Sequence, residues 1–307
     1  MSFSGATNVI HVSKNGTSGG TGISWSTAVD GLSTALSKFT SAGGLVLVAP
    51  GTYLDSKAQA TIGVDNIRIE GVGPGVVFAV NTAQHVIQSE RSGIEIVNLT
   101  LWNKSSDASA AAFKSSASSV VLTNITFEGC LLRGKTAAKL TAVQGLRIQS
   151  CMLEGELSAL SMGKLSTAEA SLYSCVASNS DFRAVNPANT NAAAVIVDGG
   201  NFVGLNCNIL SVASAASPSS EYCGASIANN GEILCTNCSF ISRRASGSGG
   251  STHFGVKLAG STTRIKLTGC TVVARDGATN QSISPNPGTA ARMQVDATLL
   301  SPAWSAT

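Results

Sequence analysis

Apolar residues recur along this chain with a period of two, slip by one residue at a fixed point, and resume. Eight segments align on a small or amide residue at the slip: IRIEGVGP at 67–74, IEIVNLTL at 94–101, VVLTNITF at 120–127, LRIQSCML at 146–153, ASLYSCVA at 170–177, FVGLNCNI at 202–209, ILCTNCSF at 233–240 and IKLTGCTV at 265–272. The positions four and two before the aligned residue, and one and three after it, are nearly all apolar, with Gly204 the exception. Alternation on both sides of a one-residue slip predicts two short strands joined by a sharp bend. Asn, Ser and Gly at the bend tolerate left-handed backbone or hydrogen-bond their own main chain.

The aligned residues are Gly71, Asn98, Asn124, Ser150, Ser174, Asn206, Asn237 and Gly269, at intervals of 27, 26, 26, 24, 32, 31 and 32 residues. Such a period belongs to solenoids whose repeats stack only on their neighbours. The residue after the bend runs Val72, Leu99, Ile125, Cys151, Cys175, Cys207, Cys238 and Cys270. Stacked at roughly 4.8 Å per turn, this column predicts an inward ladder. The expected fold is all-β, a single-stranded parallel β-helix of about nine to ten coils. Ahead of it, residues 26–42 place Val29, Leu32, Leu36 and Phe39 on one helical face, with Ser26 as N-cap and Gly43-Gly44 as the stop. That helix would cap the open end of the first coil, and the run GLVLVAPGTY at 44–53 reads as the first full strand and turn. The organisation predicted is an N-terminal strand and capping helix over 1–43, the β-helix over 44–276 and an irregular closing segment over 277–307, all in one continuous domain.

Composition agrees: charged residues are 12% and aromatics 5%, with 32 glycines. A net charge of +3, with no basic run longer than Arg243-Arg244, gives no nucleic-acid footprint. The N-terminal stretch lacks a basic region followed by an apolar core, and nowhere do 18 consecutive apolar residues occur. Synthesis in the cytoplasm, with no signal peptide and no membrane insertion, is therefore expected. Cys235-Thr-Asn-Cys238, with Cys207 and Cys270 on adjacent coils, matches three readings: packed thiols, a disulfide or a four-thiolate zinc site. The repeat favours packing, because other coils place aliphatic residues there, and no metal or other cofactor is expected. Cys130 and Cys223 fall outside the template.

These segments resemble the right-handed parallel β-helix superfamily of pectate lyases and bacteriophage tailspikes over about residues 45–276. In that family asparagines stack at the bend, which is how the resemblance places Asn98, Asn124, Asn206 and Asn237. The fold carries lyases, hydrolases, adhesins and inert virion parts, so function rests on side chains.

The resemblance implies clustered acids with calcium for a lyase, or about three aspartates on adjacent coils for a hydrolase. The eight aspartates of this chain are scattered, and calcium-loop patterns are absent. Arg264-Ile265-Lys266, with His253 upstream, echoes a polygalacturonase fragment without its carboxylates. The best acid pair is Glu128 with Glu154, each four residues after a predicted bend, a stack that would suit a retaining glycosidase. Outward positions offer another signal. Val203 and Leu234 lie three residues before the bend, and Leu210, Ile241 and Val273 four residues after it. An apolar flank of this kind suggests a subunit interface unless longer loops of the late coils fold over it.

The leading expectation is a non-enzymatic structural protein of a bacteriophage virion: a capsid decoration, head fibre or tail-spike component. It would form a homotrimer, as the resemblance implies, contacting other virion proteins and host surface polysaccharide. The alternatives are a polysaccharide lyase or glycoside hydrolase with Glu128 and Glu154 as its carboxylates, and a carbohydrate-binding adhesin module.

Overall fold

The computed structural model describes residues 8–115, 120–164, 173–186, 191–213, 220–245, 251–259, 262–277, 279–284 and 293–302. The chain winds a right-handed parallel β-helix of about eight turns. The sequence pattern suggests nine to ten. Among the described residues, one run of each coil joins an eleven-stranded first sheet that starts at Val9–Val12 and Gly44–Val48 and ends at Met293–Asp296. The next two runs form, among the same residues, the two faces of a seventeen-stranded sheet. Gly51–Leu54, Val76–Val80 and Thr100–Asn103 begin its second face, and Ala60–Ile62, His85–Ser89 and Ala111–Ser115 its third. In two middle coils Leu131–Thr141 and Met152–Gly163 pass from the second face to the third as single strands.

The predicted capping helix is shorter than its apolar spacing suggests. Only Leu32–Leu36 is α-helical, with Gly31 as N-cap, and it buries Leu32, Ala35 and Leu36 against the end of the core. Val29 is instead extended and bridges Val12, while Ser24 caps the separate 3-10 turn Trp25–Thr27. A β-bridge to the first strand satisfies the Val29 main chain more completely than an isolated helical turn would.

The main-chain pairing corrects the bend column in two coils. Asn98, Gly129, Ser150, Asn179, Asn206, Asn237 and Gly269 share it, all with φ between 49° and 61°. Each donates its N–H to the carbonyl just before the bend one coil on: Asn98 to Glu128, Gly129 to Gln149, Ser150 to Ser178, Asn179 to Leu205. The repeats at 120–127 and 170–177 are therefore displaced by five residues, and the matching segments are 125–132 and 175–182. Asn124 belongs to the other corner, where the chain enters the first sheet, in line with Asn66 and Gly93. Cys175 lies on the strand itself, opposite Leu146 and Phe202, and is fully buried. At the true bend Gly129 is required, since a Cβ there would approach the Asn98 side-chain oxygen to 2.4 Å.

Corrected register changes what the cysteine column is. The residue after the bend runs Leu99, Cys130, Cys151, Ser180, Cys207, Cys238, Cys270 and Thr298, so Cys130 belongs and Cys175 does not. Sulfur and hydroxyl are interchangeable here, because each side chain both accepts and donates. The N–H of Cys130 meets Cys151 Sγ at 3.4 Å, that of Cys151 meets Ser180 Oγ at 3.1 Å, and those of Cys207 and Cys238 meet Cys238 Sγ and Cys270 Sγ at 3.4 Å. The Leu99 and Ser180 N–H groups bond Cys130 and Cys207 in the same way, and Cys270 donates to Thr298 Oγ1 at 3.4 Å. From Cys130 onward each thiol or hydroxyl then donates to the carbonyl two residues back, as Cys151 does to Gln149 at 3.2 Å and Ser180 to Ser178 at 2.8 Å. Ahead of this ladder the Val72 N–H bonds back to the Val48 carbonyl, so Val72 needs no acceptor on the next coil.

The rest of the interior is mostly apolar and closely packed, with Asn103, His253 and several serines buried among the aliphatic side chains. Gly204, the exception in the sequence pattern, faces Cys235 in register, and a Cβ there would lie 2.7 Å from the Cys235 sulfur. Phe113 and Phe127 meet edge-on with centroids 4.9 Å apart, and Phe182 and Phe202 do so at 5.8 Å. Full burial of each such ring contributes about 1.5–3 kcal/mol.

Cys238→Val should leave the Cys207 N–H without an acceptor and cost about 1–3 kcal/mol. Cys238→Ser keeps both bonds and should cost less. Urea unfolding midpoints of the two variants check the order, and equal losses would show that the thiol acts only by packing.

Candidate functional site

Glu128 and Glu154 do not stack. Glu128 lies on the first sheet, opposite Val97 and Gln149, one residue before the bend. Glu154 lies on the outer side of the second face, in register with Arg133 on one side and Arg183 on the other. Its Oε1 is 3.3 Å from Arg133 Nε. The five-residue displacement of the 120–127 repeat is the cause: Glu128 falls before its bend and Glu154 after. The expected like-charged pair is thus an alternating row of base, acid and base.

The other expected positions separate as well. Arg264 and Lys266 point outward from the first sheet, whereas His253 is fully buried on the third face, held at 3.0 Å by both Ser242 Oγ and Ser251 Oγ. Burial lowers the His253 pKa, and nearby Arg244 acts in the same direction. Cys207, Cys238 and Cys270 are bound as thiols to the carbonyls of Leu205, Thr236 and Thr268, in hydrogen bonds that a metal-bound thiolate could not donate. Cys130 and Cys223 are buried rather than exposed, and burial pushes the Cys223 thiol up to about 12.

Val203 and Leu234 are adjacent in register on the first sheet and half-buried, and the exposed Val176 extends their row. Leu210, Ile241 and Val273 form a second half-buried row on the second face, across the bend. The apolar flank is therefore two rows on two sheets. Residues 214–219 and 246–250, in the long connections of the late coils, lie outside the described residues.

Two concavities in the described surface carry charged side chains from successive coils. The first is a groove of about 460 Å³ along the third face, lined by Lys139, Ser161, Ile196, Ser226, Lys257 and their neighbours. These are one outward row: Lys139 faces Ser161, Ser161 faces Ile196, Ile196 faces Ser226, and Ser226 faces Lys257. Lys114 stands directly opposite Lys139 at one end. The small floor is apolar, formed by Ala193 and Cys223 with Phe254 beside them. At the other end Lys257 reaches over the Phe254 ring, 5.6 Å from its centroid, and ion-pairs with Glu221. Like charges directly opposite on neighbouring strands destabilise a sheet, so the Lys114–Lys139 pair favours an anion between them.

The second is a groove of about 470 Å³ on the second face, lined by Trp102, Lys104, Arg133, Glu154, Glu156 and Val185 among others. A wider trough of about 730 Å³ follows the bend, but small side chains and main chain line most of it, and its acid Asp181 is bound by Arg183 at 2.9 Å.

Neither lysine row nor Trp102 was identified from the sequence. The signal was present, because Lys114 and Lys139 are 25 residues apart and Trp102 and Arg133 are 31 apart, each one coil. It becomes readable only once each coil is in register.

No family model and no curated protein matches the sequence. Among solved structures the chain is similar to the GH136 lacto-N-biosidase of Eubacterium ramulus, with a TM-score of 0.53 and 9% identity over 95% of this chain and 68% of that one. It is similar to a pectin methylesterase from carrot, with a TM-score of 0.50 and 11% identity over 96% of this chain and 89% of that one. A pectate lyase, Pel9A, aligns with a TM-score of 0.48 and 12% identity over 92% and 81%. The likeness is one of fold.

His85, beside the lysine row, is nearly buried, and its pKa falls to about 4 through burial and the adjacent Lys114 and Lys139. The folded chain therefore binds this proton less tightly than the unfolded chain, whose histidine titrates near about 6.5. Stability should be full above about pH 6.5 and decline as pH falls toward about 4. Thermal midpoints at pH 7.5 and 4.5 should differ by several degrees, and His85→Gln should reduce that difference.

Proposed function

We propose that this chain is a non-enzymatic structural protein of a bacteriophage particle, a capsid decoration, head fibre or tail-spike component, that holds acidic polysaccharide along the third face. The observation that carries the reading is the condition of the carboxylates in the two charged grooves. Glu221 is tied to Lys257, and Glu154 lies between Arg133 and Arg183. Each acid thus balances a base from a neighbouring coil, whereas glycoside cleavage calls for two cooperating carboxyl groups across one bond. Lys114 and Lys139, beyond the Glu221–Lys257 pair, then leave the third face cationic, above a floor of small side chains that lets an extended chain lie close to the sheet.

The outward rows support a trimeric assembly. The Val176, Val203 and Leu234 row is an apolar strip that a second and third copy of the chain would cover. Light scattering at micromolar concentration should give the mass of three chains, and Leu234→Asp should shift it toward one. A single-chain mass for the native protein would remove the trimer.

Polygalacturonate is a suitable acidic probe for the groove. The native chain should bind it without releasing reducing ends or unsaturated products. Replacing both Lys139 and Lys257 by Ala should weaken binding about 5- to 30-fold, since each charge contact contributes about 0.5–1 kcal/mol. Raising salt should weaken native binding in the same direction. Product release that persists with purified protein would instead establish the polysaccharide lyase or glycoside hydrolase reading.

A further inference from the structure

The second face carries a row that the cationic groove of the third face does not use. Ala79, Trp102, Arg133, Glu154, Arg183 and Leu210 follow one another in register on successive coils. At roughly 4.8 Å per strand the four central side chains span about 14 Å along the solenoid axis. Trp102 is 38% exposed in a chain with three tryptophans, and the 470 Å³ groove opens beside it. Lys104 Nζ lies 4.6 Å from its ring centroid, which orients the indole against the groove. Lys135 is held at 2.6 Å by Glu156 at the rim, and Arg183 at 2.9 Å by Asp181.

We infer that this row is a binding site for an uncharged, hydroxyl-rich glycan chain running parallel to the solenoid axis. Trp102 supplies an apolar platform for one face of a pyranose ring, with its C–H bonds against the π-cloud. Arg133, Glu154 and Arg183 follow at a spacing close to that of successive sugar units, and alternate donors and acceptors for hydroxyl pairs. Charge selects the ligand class. The bases Lys104, Arg133, Lys135 and Arg183 are offset by Glu154, Glu156 and Asp181, so the row is nearly neutral, unlike the cationic third face. Ion pairing also holds the guanidinium and carboxylate groups in place before a ligand arrives, which lowers the ordering cost of binding. The site stands apart from the lysine row and does not depend on it.

Cellohexaose and chitohexaose are the probes, each titrated into the full chain with tryptophan fluorescence and calorimetry as readouts. At least one should bind saturably. Trp102→Ala should weaken that binding at least tenfold, while Trp102→Phe, which keeps a ring, should retain most of it. Polygalacturonate binding should be unchanged in Trp102→Ala, which separates the two sites and also reports that the variant is folded. The inference is overturned if neither oligosaccharide binds, or if Trp102→Ala binds within twofold of the native chain.

Discussion

The left-handed bend between the first and second sheets is the constraint on which the rest of the molecule depends. Before it, the bend residue's N–H points forward to the next coil, as Asn98 does to Glu128; two residues later the N–H points backward, as Leu131 does to Leu99. The residue between them is left facing forward where the next coil presents a side chain instead of a carbonyl. A buried N–H cannot be left unsatisfied. Cysteine, serine and threonine answer this need, since each carries one atom that accepts from the preceding coil and donates to its own. The column from Cys130 to Thr298 is therefore a hydrogen-bond ladder made of side chains, running inside an apolar core.

This ladder ties coils together in a fixed register, and register decides which outward residues meet. With Asn98, Gly129 and Ser150 stacked, Trp102, Arg133 and Glu154 fall into one row. Further round the same coils, Lys114 and Lys139 come opposite each other, and the Glu221–Lys257 pair forms across adjacent coils. Recognition surfaces on a solenoid are thus built from residues 21 to 35 positions apart, brought within one strand spacing by pairing that the core enforces. The two charged faces differ in character because one retains excess lysines and the other balances its charges.

Much of the fold was legible in the chain, since inward positions alternate with period two and the bends from Asn98 to Gly269 carry Asn, Ser or Gly, with Ala297 at the last one. The capping helix was legible only in part, because Val29 fits a helical face as well as it fits the bridge to Val12. Register was the weak point. Both corners of the first sheet take the same residue types, so Asn124 at one corner mimics Gly129 at the other, and Ser174, which accepts from the Gly145 N–H at the entry corner, mimics Asn179. Each offset is five residues and leaves apolar residues at most inward positions of the template, hiding the error from any test of hydrophobic pattern. The Glu128–Glu154 stack and the places given to Asn124, Cys130 and Cys175 all followed from that one ambiguity.

The sequence alone therefore determined that the chain is a parallel β-helix with an inward column of aliphatic and thiol side chains after the bend. Burial of apolar side chains repeats with each coil, and such repetition leaves its period in the residues. The tertiary structure alone decided which corner each amide occupies, that the thiols serve as hydrogen-bond partners, and which charged residues from distant positions face one another. Those outcomes depend on main-chain pairing between coils, and backbone groups are the same at every residue, so they leave no mark on the side-chain pattern.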